Sequence, residues 1–258
     1  MRSALHAEWT KLRTTPGPGW LLLAAVALTV GLSLLAATAV TCPVSGCGQD
    51  PVRVSLTGVD LGQAAVAVLA VLIIGGEYGS GMIRTTLAAI PRRGVVLGAK
   101  AVILAGAVTV AGLVAVLGSL LAGRLTLPGN GFTAAHGFRL LSLADGSTLR
   151  AAAGSVLYLA LIALLSLGTA AALRDSATSI GVVLGLLYLF PVLAATVSNP
   201  KWEWHLRQIG PMNAGLAIQS TIGLDRLPVG PWAGLGVLAA WSAAALLVGG
   251  LLLRFRDA

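Results

Sequence analysis

Six long apolar segments separated by polar stretches dominate the pattern of this chain. A helix needs about 20 apolar residues to cross about 30 Å of hydrocarbon, and each segment reaches or approaches that length. We therefore predict six membrane-spanning helices, at about residues 20–40, 59–76, 97–122, 151–173, 179–197 and 231–253. Buried core helices of a large water-soluble protein are the alternative interpretation of the same pattern.

Composition disfavours that alternative. The 258 residues are 57% hydrophobic and 10% charged, whereas soluble domains average about 45–50% and about 25%. A soluble domain of this size could not bury so much apolar surface. The sequence predicts an all-α membrane protein whose residues 19–258 form a single six-helix transmembrane domain.

Residues 1–18 have an amphipathic pattern. Leu5, Trp9 and Leu12 recur at i, i+4 and i+7, on one helical face. We predict a basic helix lying at the membrane interface; a frayed tail is the alternative, against which the indole of Trp9 argues. Ala37-Thr38-Ala39 resembles a signal cleavage site. The apolar stretch is, however, longer than the roughly 7–15 residues of a signal core, so we expect the first span to be retained.

Basic residues indicate the orientation of the spans. Five of them lie close to one set of span ends: Arg92, Arg93, Lys100, Arg254 and Arg256. Cytoplasmic loops carry the excess of Lys and Arg, so both termini are predicted to lie in the cytoplasm, with the chain in the inner (plasma) membrane. The net charge of +8 fits this topology and attraction to anionic membrane lipids. No contiguous basic face lies outside the spans, so a nucleic-acid partner is not expected.

The segment between the second and third spans is polar and broken by glycine. Gly79 and Gly81 flank Ser80 and allow a sharp turn. Residues 82–90 can then form about two helical turns, and Pro91 suits the first turn of the next helix. On charge alone, an ordinary positive-inside loop would be the preferred explanation.

Two cysteines, Cys42 and Cys47, fall in the first outer loop. The compartment outside the membrane is oxidising, so we predict a disulfide between them. Closing so short a loop would stabilise the fold by only about 2 kcal/mol. Two free thiols or a modified pair remain alternatives.

Enzyme chemistry has no support in the sequence. The chain contains no G-x-x-x-x-G-K-[ST], H-E-x-x-H, G-x-S-x-G or C-x-x-C pattern, and its three histidines are scattered, so neither catalysis nor a metal site is predicted. Ion-coupled transporters use ionisable residues within their spans. Here Asp60 and Glu77 lie only at opposite ends of the second span. The energy for any transport would come from another subunit.

Three stretches together carry a resemblance to a known family. They are Glu8-Trp9-Thr10-Lys11-Leu12-Arg13; Glu77 to Leu87 with Pro91-Arg92-Arg93; and Leu157 to Leu161 through Leu173-Arg174-Asp175. With the six spans, they resemble the permease subunits of ABC exporters of the ABC-2 class, in particular small actinobacterial-type six-span permeases. The resemblance extends over essentially the whole chain.

The resemblance implies roles for two segments. The loop after the second span would form a cytoplasmic coupling helix that docks into a separate ATPase, with Glu77, Tyr78, Met82, Ile83, Arg84, Leu87, Arg92 and Arg93 as the coupling segment. Residues 1–18 would form a connecting helix beside it, through Leu5, Trp9 and Leu12. Met82, Ile83 and Leu87 would be apolar anchors and Arg84 a polar rim. Glu77 could pair with Arg84 or with the ATPase.

The resemblance also implies a function. The chain would pair with a second copy or a homologous permease, beside ABC ATPase subunits that hold ATP and Mg, with no cofactor of its own. It would export a substrate that the resemblance does not identify. The apolar span faces favour a hydrophobic or amphiphilic one such as a lipid, peptide, drug or antibiotic, and the chain would be in contact with membrane lipids. The alternative is a non-pumping immunity or sensor subunit that binds a membrane-active compound. An intramembrane enzyme would need paired polar residues facing each other within the spans, and the pattern offers none.

Overall fold

The six predicted spans form six long apolar helices. The computed structural model describes residues 2–42, 48–89, 92–138 and 141–255, and no strand occurs within these ranges. The helices in chain order are α1 (Arg2–Thr14), α2 (Pro16–Ala39), α3 (Pro51–Ser55), α4 (Val59–Gly79), α5 (Met82–Ala89), α6 (Arg93–Thr126), α7 (Gly146–Leu173), α8 (Ser176–Thr196), α9 (Pro200–Ile209), α10 (Pro211–Leu216) and α11 (Pro231–Phe255). Helices α2, α4, α6, α7, α8 and α11 are long and apolar enough to cross a membrane. The chain is a multi-pass membrane protein.

Two spans begin earlier in the structure than predicted. Only Thr15 separates α1 from α2, so α2 begins at Pro16, ahead of the predicted start near residue 20. Pro16 occupies the first position of α2, where a missing N–H costs nothing. The third span is also longer than predicted, because α6 runs from Arg93 to Thr126.

Helix α7 lies at the centre of the bundle. It packs against α4, α6, α8 and α11, while α2 packs against α4 and α6. Its contact with α11 is a backbone contact: a Cβ added at Gly168 would lie 2.5 Å from the backbone nitrogen of Leu246, and one at Gly249 would lie 2.5 Å from the carbonyl oxygen of Gly168. These glycines let two helices approach closely. Gly168 and Gly249 therefore form the close α7–α11 contact, whereas Gly181 and Gly185 face open space.

Short helices cover the opposite end of the bundle from α1. The segment between α9 and α11 contains α10 at Pro211–Leu216 and a 3₁₀ turn at Ala217–Gln219. Helix α9 was not predicted; Asn199 caps it by accepting from the amide of Lys201. Asp50 joins two distant segments here. It caps α3 and also accepts hydrogen bonds from the amide (2.5 Å) and hydroxyl (2.8 Å) of Thr221.

The predicted disulfide lies partly outside the described residues. Cys42 is buried, and its amide donates to the carbonyl of Asn130 at 2.8 Å. Cys42 is not a free thiol. Because Cys47 lies outside the described residues, the Cys42–Cys47 bridge stays a prediction.

Candidate functional site at the α1 end of the bundle

One end of the bundle gathers most of the polar residues that the sequence singled out. We call it the α1 end; it comprises α1, α5, the last turn of α4, the first turns of α6, the α7–α8 turn and the end of α11. Two arginines bind the last carbonyls of α11: Arg93 donates to Leu253 at 2.6 Å and Arg174 to Leu252 at 3.3 Å. The C-terminus of a helix carries unsatisfied carbonyls and partial negative charge. These two cations therefore fix α11 to α6 and to the α7–α8 turn.

Four charged side chains form a closed network at this end. The Lys100 ammonium donates to Glu8 at 2.8 Å and to Glu77 at 2.7 Å. The Lys11 ammonium donates to the same two carboxylates, at 3.1 Å to Glu8 and 2.7 Å to Glu77. We call these residues the Glu8–Lys11–Glu77–Lys100 cluster. It joins α1 to the last turn of α4 and to the second turn of α6.

Three of the four residues in this cluster are buried. Lys100 is 2% exposed, Glu77 5% and Glu8 7%. Placing a single charge in such a site would be costly, whereas the charges of two carboxylates and two ammonium groups sum to zero. Removal of any one member leaves an unbalanced buried charge.

Lys11 is the half-exposed member of the cluster. Partial burial lowers the pKa of Lys11, but the hydrogen bonds and charges of Glu77 and Glu8 outweigh it and raise the pKa above 10.5. A raised lysine pKa stabilises the folded state fully below the unfolded value, and that contribution disappears as pH rises through the folded pKa. The stabilisation that Lys11 provides is therefore fully present at neutral pH.

Helix α1 docks through a different face from the one that the apolar pattern indicated. Ala4 and Glu8 are its buried residues, one turn apart, and the small Ala4 lets α1 approach α6. Leu5 and Leu12 are half-buried and Trp9 is 49% exposed. Of the predicted apolar face, Trp9 thus points away from the bundle, whereas Leu5 and Leu12 are partly covered by it. The protein-facing side is small and charged.

Helix α5 presents only part of the predicted coupling segment. Met82 is 47% exposed, but Ile83 is 5% exposed and packs within the chain, so Ile83 is not on a free face of α5. Arg92 is exposed, while Arg93 binds the end of α11. The side chains of Arg84 and Leu87 lie outside the described part of the chain.

Glu77 and Tyr78 belong to the last turn of α4 rather than to the loop. The expected choice of partners for Glu77 was Arg84 or an ATPase; in the structure Lys11 and Lys100 are its partners. Arg174 lies over the ring of Tyr78, with its guanidinium carbon 5.7 Å from the ring centroid. A Cβ at Gly75 would clash with Ser176, so the α7–α8 turn rests directly on α4.

An apolar cavity of about 330 Å³ opens beside the charged cluster. Helices α1, α2, α4 and α6 form its walls, with Met82 of α5 at the rim. Leu12, Leu21, Leu69, Leu72, Ile73 and Leu104 supply apolar lining. Glu8, Lys11, Glu77 and Lys100 line its polar part. The second carboxylate oxygen of Glu77, Oε2, is buried and accepts no hydrogen bond from the described residues.

Sequence reasoning missed the cluster because it assigned its members to other roles. Lys100 was counted among the basic residues at span ends, and Glu8 was noted only within the stretch Glu8 to Arg13 that carries the family resemblance. The available signal was electrostatic: Glu8 and Lys11 lie three residues apart, Glu77 directly follows the second apolar segment, and Lys100 lies just inside the third. Buried charges in a membrane protein need partners of opposite charge, and these four residues are two acids and two bases.

Comparison with known proteins gives no further identification. The chain matches no protein-family model and no curated protein sequence.

Proposed function

We propose that this chain is the membrane-spanning permease subunit of an ATP-driven ABC exporter, with the α1 end in the cytoplasm. The observation that carries the proposal is the position of α5. This short helix lies between two spans and beside α1, and the buried Glu8–Lys11–Glu77–Lys100 cluster fixes α1 to those same two spans.

The arrangement supports mechanical coupling. Helix α5 joins α4 through Ser80 and Gly81 only, and Gly81 has φ +72°, a conformation that favours glycine. Force applied to α5 would therefore reach the last turn of α4, where Glu77 binds both Lys11 and Lys100. Helices α1, α4 and α6 would move as one unit, because separating them would expose unpaired charges to an apolar environment.

The energy for transport would come from other subunits. The 258 residues contain no nucleotide-binding loop, so ATP and Mg would be held by separate ABC ATPase subunits. A second permease, identical or homologous, would complete the membrane part. The apolar cavity and spans favour a hydrophobic or amphiphilic cargo.

Site-specific crosslinking tests the proposal. Thr85 and Thr57 are exposed threonines that each donate to a carbonyl of their own helical segment, on α5 and at the opposite end of the bundle. In native membranes, Thr85→Cys should crosslink to an ABC ATPase and Thr57→Cys should not. The purified complex should move a fluorescent amphiphile across a vesicle membrane only when ATP is hydrolysed. A chain that crosslinks to no ATPase from Thr85 and supports no ATP-dependent transport would contradict the proposal.

The immunity or sensor alternative has the apolar cavity in its favour, since a binding protein needs no motor. Protection of cells from a membrane-active compound separates the two functions. Under the exporter proposal, protection disappears when the partner ATPase binds ATP but cannot hydrolyse it; under the alternative, protection persists.

A further inference from the structure

We infer that the cavity beside the Glu8–Lys11–Glu77–Lys100 cluster is a binding site for a single-chain amphiphile with an uncharged hydroxyl head. The inference is independent of the proposed function, since binding needs no ATPase. It rests on the cavity, on the charge balance at its polar part, and on one carboxylate oxygen.

The cavity suits one alkyl chain. Its volume of about 330 Å³ is at the lower end of the roughly 300–1,000 Å³ of small-molecule sites. Leu21, Leu69 and Leu104 belong to three different helices and line it, so a chain lying there would be enclosed by leucine side chains from three sides. Apolar burial supplies most of the affinity in such sites.

Glu77 specifies the head of the ligand. Its Oε1 atom accepts from both Lys11 and Lys100 at 2.7 Å, whereas its buried Oε2 atom has no donor among the described residues. Glu77 is 95% buried and lines the cavity. A buried carboxylate oxygen without a donor costs free energy, and a ligand hydroxyl removes that cost.

The charge balance selects an uncharged donor. Two carboxylates and two ammonium groups already sum to zero at the polar part of the cavity. An ammonium head would leave a net positive charge in a poorly solvated site, and a carboxylate head would face Glu77 and have no proton to donate. A hydroxyl donates one hydrogen bond and adds no charge.

Binding of radiolabelled dodecanol to the purified chain in phosphatidylcholine nanodiscs, which contain no other hydroxyl-headed single-chain amphiphile, tests the inference. Dodecanol should bind saturably, and about tenfold more tightly than methoxydodecane, which differs in lacking the donor. Dodecanoate and dodecylamine should also compete more weakly than dodecanol. Equal binding of dodecanol and methoxydodecane, or stronger binding of the amine or the carboxylate, would overturn the assignment of the head.

Two glycine variants test the location. A Cβ at Gly76 meets no atom within 4 Å, and Gly76 lines the cavity; the Gly76→Leu side chain should fill it and weaken dodecanol binding by about tenfold or more. Gly106 is equally open but lies on α6 outside the cavity, so Gly106→Leu should bind as the wild type does. Both substitutions leave the charged cluster in place. Unchanged binding in a folded Gly76→Leu protein, or equal loss in both variants, would refute the site.

Discussion

Lys100 Nζ lies 2.8 Å from Glu8 Oε2, although 92 residues separate them in the sequence. This contact joins an N-terminal helix that lies outside the six spans to the interior of the third span. Together with Lys11 and Glu77 it makes the α1 end a single electrostatic unit. The unit is what allows the proposed coupling helix and the N-terminal helix to act on the same two spans.

Loss of Lys100 should destabilise the protein strongly. In Lys100→Met, two buried carboxylates would share Lys11 alone, and we expect a loss of about 3–5 kcal/mol in the free energy of unfolding. Tryptophan fluorescence during unfolding by SDS in mixed micelles measures it. Lys201→Met, at an exposed position on α9, should change stability little.

Restoring the charge balance should recover part of that loss. The double variant Lys100→Met/Glu77→Gln retains the Glu8–Lys11 pair and removes the excess carboxylate. We expect it to be more stable than Lys100→Met alone. A double variant that is less stable by the sum of both single losses would show that the two residues act independently, contrary to the 2.7 Å contact.

The α7–α11 contact should not tolerate a side chain at Gly168. A Cβ there would lie 2.5 Å from backbone atoms of Ala245 and Leu246, so Gly168→Val must separate the two helices and should cost about 1–3 kcal/mol or more. Gly181→Val is the matched control, because a Cβ there meets open space. Thermal unfolding in detergent compares the two variants, and similar midpoints would contradict the backbone contact.

Asp50 should stabilise the end of the bundle opposite α1. It accepts from the amides of Val52 and Arg53 on α3 and from Thr221. Asp50→Ala should therefore cost about 2 kcal/mol, more than an isolated helix cap. Asp145→Ala tests the attribution, since Asp145 precedes α7 without a side-chain cap hydrogen bond. Equal unfolding free energies for the two variants would count against the dual role of Asp50.

Thiol labelling should place the α1 end in the cytoplasm. Exposed Arg92 and Arg254 lie at span ends on this side, where the positive-inside bias acts most strongly. In intact cells, an impermeant maleimide should label Thr57→Cys and leave Thr85→Cys unlabelled until the membrane is permeabilised. The unsubstituted protein serves as the blank. Labelling of Thr85→Cys from outside would remove the proposed access of a cytoplasmic ATPase to α5.

The spans were predictable because their signal is local. A run of about 20 apolar residues is visible in the sequence, and so is a short helix bounded by Gly81 and Pro91. Helix α9 escaped prediction because its ten residues, with Trp202, Glu203 and Arg207 close together, resemble a polar loop. Helix α2 begins earlier than predicted because Pro16 suits the first position of a helix.

The site was harder to predict because the tertiary structure brings together residues that are far apart in the sequence. Nothing in the sequence around Lys100 shows that Glu8 will lie beside it, and the positive-inside rule offered a simpler role for the same lysine. The burial of Ile83 was hidden for a similar reason: an apolar residue on a short helix can face a partner protein or its own bundle. Only the packing of α5 against α4 and α6 decides between them.

The hydrogen bonds between Asp50 and Thr221 must form late in the synthesis of the chain. These residues are 171 positions apart, so when Asp50 leaves the ribosome, most of the bundle has yet to be synthesised. The N-terminal cap of α3 can form at once, but the carboxylate finds its second partner only after α8 has been inserted and the chain has returned. Until then the Asp50 carboxylate has only its hydrogen bonds to α3. The Asp50–Thr221 hydrogen bond can therefore form only after the fifth span, α8, is in place.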